Sequence, residues 1–194
     1  MSVDSDRGGV RTVVADAYRG ALPTLAVSAV GGLVAGSLLG GMEAELSAVE
    51  GLLVLVPAFL AIRGSVYGSL GSRISSALHQ GLIDPTDPDR RLATAAVAAL
   101  ANGVFATLFA AALTVAVLSA LGRPVAPLGT FLVVALVGGV LAGVALTAVV
   151  VGVVLVGYRR GLNPDDLVGP AVTTAGDVFG MLALIVAARV ALAL

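Results

Sequence analysis

One acidic residue interrupts the apolar stretch "GPAVTTAGDVFGML" (Gly169–Leu182): Asp177, with every other residue from Leu167 to Ala188 apolar or small. Moving an ionised carboxylate into an apolar medium is costly. Asp177 is therefore neutral and structural, or paired with Arg63, or a place that a cation visits. Hard oxygen ligands suit Mg²⁺, Ca²⁺ and Mn²⁺, and Mg²⁺ keeps most of its waters and accepts one or two carboxylates. Two chains meeting at this helix would set two copies of the acid against one divalent cation. Thr173 and Thr174, one turn earlier, offer hydroxyls to the acid, its waters or a backbone carbonyl. Gly176 and Gly180 flank it and leave space.

Other polar residues are weighed against this one. Asn102 is expected to hydrogen-bond between helices. Glu43, Glu45 and Glu50 form an acidic outer mouth with no basic residue nearby in sequence. Asp84, Asp165 and Asp166 lie at inner helix ends, where bound Mg²⁺ would be one way to close a path. His79 and Asp84 are expected to belong with a solvated loop rather than to coordinate an ion, and Arg189 is expected to reach the outer interface.

The elements that position these residues follow from hydropathy. The chain has 194 residues, 58% of them hydrophobic and 12% charged, with a mean hydropathy of +1.06. Such a composition marks an integral membrane protein. About 20 apolar residues cross the hydrocarbon core as a helix, and five segments qualify: 21–40, 46–83, 92–120, 126–157 and 167–194. The expected fold is all-α, with a short N-terminal segment (1–20) and a five-helix membrane domain (21–194). The second segment is too long for one crossing, roughly 57 Å as a single helix. Its break is placed at Arg63, Gly64 and Ser65, with Pro57 just upstream. Beyond that point Val66, Leu70, Ile74 and Leu78 share one helical face, while Ser69, Ser72, Arg73, Ser76 and Gln80 fall on others. Asp87-Pro88 and Asn163-Pro164 read as helix starts.

Arginines set the orientation, since short cytoplasmic loops are enriched in basic residues. With the N-terminus inside, the inner segments hold Arg7, Arg11, Arg19, Arg90, Arg91, Arg159 and Arg160, and the outer loops hold Arg123. The chain is thus expected in the plasma membrane, N-terminus cytoplasmic and C-terminus outside. Small residues recur every fourth position at Gly32, Gly36 and Gly40, at Gly64, Gly68 and Ser72, and at Gly139, Gly143 and Thr147. These runs suit close helix packing, within the chain or across a dimer seam.

Composition also excludes. No cysteine and a single histidine remove disulfides and a multi-imidazole zinc centre. A net charge of −1 gives no support for nucleic-acid binding. An intramembrane aspartyl protease needs two facing acids, and only Asp177 is deep, so no enzyme is expected.

Two stretches carry a family likeness. "VPAFLAIRGSVYGSLGSRISSALHQG" (56–81) resembles the segment of MgtE-type magnesium channels and solute carrier family 41 transporters in which Pro-Ala leads to a basic residue and Gly, then to Ser-Arg-(Leu/Ile)-Ser-(Ser/Thr)-Ala. "NPDDLVGPAVTTAGDVFGML" (163–182) resembles that family's last helix, with its Pro, Thr-Thr and intramembrane Asp. The resemblance implies a Mg²⁺-conducting homodimer in the lipid bilayer. Its pore would lie at the subunit interface, lined by the second and fifth helices, with Asp177 as the central ion site. It also implies Mg²⁺ as the transported ion. The cytoplasmic N and CBS domains of MgtE-type channels are not expected here, because about 20 residues precede the first span. The solute carrier relatives join two such membrane units, so this chain resembles a half-size form. An ion-coupled Mg²⁺ exchanger and a non-transporting membrane scaffold are the competing readings.

Overall fold

The computed structural model describes residues 4–86 and 90–194, which are helical apart from their connections. The expected start at Asp87-Pro88 lies outside the described residues. Six helices follow in order: α1 (Asp4–Gly40), α2 (Glu43–Ala48), α3 (Leu52–His79), α4 (Arg90–Ala120), α5 (Leu128–Arg159) and α6 (Pro164–Leu192). A helix satisfies its own backbone groups, the condition for spanning lipid. Among the described residues α3, α4, α5 and α6 are long and apolar enough to cross a membrane, and the apolar part of α1, Leu25–Gly40, is shorter. It measures about 24 Å at ~1.5 Å per residue, against a core of about 30 Å. α3 packs on α4, α5 and α6, and α1 packs on α6.

The break expected at Arg63, Gly64 and Ser65 is absent, because α3 runs unbroken from Leu52 to His79. A glycine inside a helix costs only about 1 kcal/mol relative to alanine. The fully buried Arg63 and Tyr67 hold this stretch against its neighbours, and Pro57 is accommodated on an exposed face. The long segment divides earlier, between α2 and α3, where Gly51 has φ 87°. That left-handed conformation favours glycine. A Cβ at Gly51 would also lie 2.6 Å from Leu118 Cδ1. The Ala126 amide donates to the Glu50 carbonyl at 2.9 Å, tying this turn to the α4–α5 loop.

Buried apolar side chains form two clusters. One gathers Leu52, Leu55, Phe59, Phe131, Met181 and Leu184. The other gathers Tyr67, Ile74, Leu146, Val150, Val168 and Val172. The changeover falls between Phe59 and Tyr67 on α3, between Ala142 and Leu146 on α5, and between Val172 and Met181 on α6. Into those gaps fall Arg63, Gly143 and Asp177. The bundle thus carries a polar layer at mid-depth, between two apolar halves.

The ends are tied separately. At the α2 end, Arg189 Nε donates to Glu45 Oε1 at 2.7 Å. At the opposite end, the Arg159 guanidinium donates to the Pro85 carbonyl through Nε at 2.7 Å and through Nη2. Beside it, His79 and Tyr158 meet edge to face at 5.8 Å. The expected start at Asn163-Pro164 is present: Asn163 Oδ1 accepts from the Asp165 amide at 3.3 Å, with Pro164 in the first turn.

Candidate functional site in the polar layer

α6 carries Asp177 close to its middle, partly exposed. Among the described residues no hydrogen bond or ion pair joins Asp177 to the rest of its protomer. The preceding residue, Gly176, is buried and faces α3: a Cβ there would lie 3.8 Å from Arg63 Cβ. One position on, about 100° around the helix, Asp177 turns away from that packed surface. Toward the start of α6, Asp166, Gly169 and Thr173 are exposed, so the carboxylate ends a strip of α6 that the rest of the chain leaves uncovered.

Thr173 Oγ1 donates to the Gly169 carbonyl at 2.9 Å, one of the partners expected for it. Thr174 instead packs on α1, with its Cγ2 2.6 Å from where a Cβ on Gly31 would lie. Its hydroxyl has no partner among the described residues.

Arg63, near the middle of α3, is fully buried. Among the described residues it neither pairs with Asp177 nor binds backbone carbonyls. Nη2 donates to Thr107 Oγ1 on α4 at 3.1 Å, and Thr107 Oγ1 in turn donates to the Gly103 carbonyl at 2.6 Å. The guanidinium lies 3.8 Å from the centroid of the Phe59 ring, a cation–π contact that strengthens when desolvated. Nε, Nη1 and the Tyr67 hydroxyl have no hydrogen-bond partner among the described residues. Tyr67 wedges between two helices: a Cβ at Gly143 would lie 2.5 Å from its oxygen, and one at Gly103 would lie 3.0 Å from it.

Two expectations are corrected. Glu45 does not stand free at an outer mouth, because α2 folds back against the end of α6 and Arg189 binds it. That hydrogen bond holds the Glu45 carboxyl below the usual carboxylate range. Glu43 and Glu50 remain exposed. Asn102 makes no helix–helix hydrogen bond among the described residues. It is exposed and lines a groove of about 440 Å³ between α3 and α4 with Ser65, Ser69 and Arg73. Asp84 lies exposed in the loop as expected, and accepts from the Thr86 amide and hydroxyl at 2.7 and 2.6 Å. Asp165 and Asp166 are exposed in the first turn of α6.

The sequence reading missed Tyr67 and Thr107 as members of the polar layer. The available signal was Tyr67 one turn after Arg63 on the same face. Among the described residues no three acidic or histidine side chains gather as a metal cluster.

The small-residue runs divide. Gly139 and Gly143 pack on α4, whereas a Cβ at Gly32, Gly36, Gly40, Gly64 or Gly68 would meet nothing within 4 Å. The α3 face bearing Gly64, Ser65, Ser72 and Ser76 is exposed.

A family model described as MgtE, divalent cation transporter, matches residues 56–187. The match runs from the first turns of α3 to the last turns of α6 and includes Arg63, Thr107 and Asp177. Covering more than half of the chain, it makes this multi-helix membrane protein a member of the MgtE divalent cation transporter family.

Proposed function

We propose that the protein conducts Mg²⁺ as a homodimer, with α3 and α6 of both protomers around the path and the two Asp177 carboxylates as the central ion site. The observation that carries this reading is an unpartnered carboxylate halfway along a membrane helix, on a strip its own protomer leaves open. A charge so placed needs a positive partner, and a transported divalent cation is one. A Mg²⁺ ion that keeps most of its waters needs few direct ligands. The open glycines of α3 and its exposed serines support a second copy and a hydrated path beside Asp177. α1 supplies the fifth crossing, which puts the termini on opposite sides. Thr173, freed by a turn of its side chain, would offer its hydroxyl to the ion's water shell. Exposed Asp165 and Asp166 would take up Mg²⁺ at the inner end and narrow the path.

The test is Mg²⁺ uptake into proteoliposomes by wild type and Asp177→Asn, with Mn²⁺ and Ca²⁺ as competitors. Uptake lost in a variant that keeps its fold and oligomeric state supports the site. Equal uptake makes Asp177 structural, and no uptake by either protein favours a scaffold.

A further inference from the structure

Two apolar grooves run along α5, one on each side. The groove between α4 and α5 has a volume of about 610 Å³ and is lined by Leu92, Leu100, Val144, Ala148 and Gly152, among others. The groove between α5 and α6 has about 490 Å³ and is lined by Ala148, Gly152, Val156, Arg160 and Leu167, among others. Ala148 and Gly152 belong to both, so only two small residues form the ridge between them. A Cβ at Gly152 would meet nothing within 4 Å.

The second groove ends at a basic side chain, and the first runs toward the same, arginine-rich end of the bundle. Arg160 lines the second directly. Arg90, exposed, opens α4 two residues before Leu92 of the first. Neither guanidinium has a hydrogen-bond or ion-pair partner among the described residues, whereas neighbouring Arg159 is engaged by Pro85. Asp166, at this end too, lines a different groove with Val27 and Pro170.

We infer that this double groove is an anionic phospholipid site. One acyl chain lies on each side of the Ala148–Gly152 ridge, and the phosphodiester sits at the arginine foot. Charge selects the lipid. A basic site between membrane helices favours an anionic headgroup, and a zwitterionic lipid fills the same grooves but brings its own cation to the arginines. The site is remote in kind from Asp177 and stands or falls without it.

The experiment is native mass spectrometry of the detergent-solubilised protein titrated with dioleoylphosphatidylglycerol or dioleoylphosphatidylcholine. Wild type should bind the anionic lipid more tightly. Replacing Arg160 and Arg90 together by Gln should weaken it by roughly 25-fold, about five-fold per arginine, and erase the preference. Arg160→Lys should keep the preference. Gly152→Leu, which has room for its first carbon, should weaken both lipids alike by blocking the ridge. Equal binding of the two lipids by wild type, or a preference that survives the double Gln variant, overturns the proposal. If the double variant fails to keep its helical circular dichroism, Gly152→Leu decides, and unchanged lipid affinity there overturns the proposal too.

Discussion

Arg63 and Asp177 stand in the same polar layer, near the middles of α3 and α6, yet the fold treats the two charges in opposite ways. The guanidinium is fully enclosed, laid against Phe59 and hydrogen-bonded to Thr107. The carboxylate is left partly open and without a partner among the described residues. Side-chain chemistry accounts for the difference. Arginine has a long apolar stem and a flat, weakly hydrated head that stacks on rings. Aspartate has a short stem and two acceptors that nothing but donors or cations can satisfy. In this layer the positive charge is put away and the negative charge is presented.

The contrast can be broken most sharply at Asp177. Losing one unit charge about 4 Å from a divalent cation forfeits about 8 kcal/mol of attraction at an effective dielectric near 20, about half of it offset by the hydration that the ion regains. Asp177→Asn should therefore lower Mg²⁺ uptake by on the order of a thousand-fold, with a melting temperature at or above that of wild type. Uptake within ten-fold of wild type would mean that the exposed carboxylate is not where the ion is held.

The seal around Arg63 is tested next. Gly143→Val drives a side chain into the Tyr67 hydroxyl and Leu100, and overpacking of this kind costs about 1–3 kcal/mol. Thermal unfolding in detergent should show the loss while Asp177→Asn shows none. A smaller effect is expected at Arg63 itself. Replacing a buried charge by an apolar residue of similar volume is often neutral or stabilising, so Arg63→Met should be as stable as wild type or up to about 1 kcal/mol more stable. It should also retain uptake. Uptake abolished as fully as in Asp177→Asn would show that the enclosed charge takes part in transport.

The smallest effect belongs to a third charge arrangement, the Glu45–Arg189 pair at the α2 end. The Glu45 carboxyl is held below its ordinary value by the hydrogen bond from Arg189. Its stabilisation is thus complete above the unfolded value of about 4.3 and is lost as pH falls through the lower folded value. Glu45→Gln should flatten that acid-side decline by slightly lowering the melting temperature near neutral pH, while leaving it unchanged below the folded value. An unchanged decline would assign it to other carboxylates.

Local pattern made part of this legible in the sequence. The depth of Asp177 follows from counting residues along an apolar helix. The buried face of α3 at Leu70, Ile74 and Leu78 follows from helical periodicity, and the Asn163-Pro164 start follows from capping chemistry. Pairings across the fold were not legible. Glu45 and Arg189 are 144 residues apart, and Arg63 and Thr107 are 44 apart, so no window along the chain contains both partners. The misplaced break in α3 has the same origin. Gly64 and Ser65 weaken a helix locally, but the neighbours that hold Arg63 and Tyr67 come from α4 and α5, and that packing decides.

The wedge of Tyr67 between Gly103 and Gly143 has a mechanical consequence. One side chain pins three helices at a spacing that leaves no slack, so α3, α4 and α5 cannot slide past one another without expelling it. Any motion that opens or closes the molecule must carry those three as one block, and the moving parts are then the helices the wedge does not touch, α1, α2 and α6.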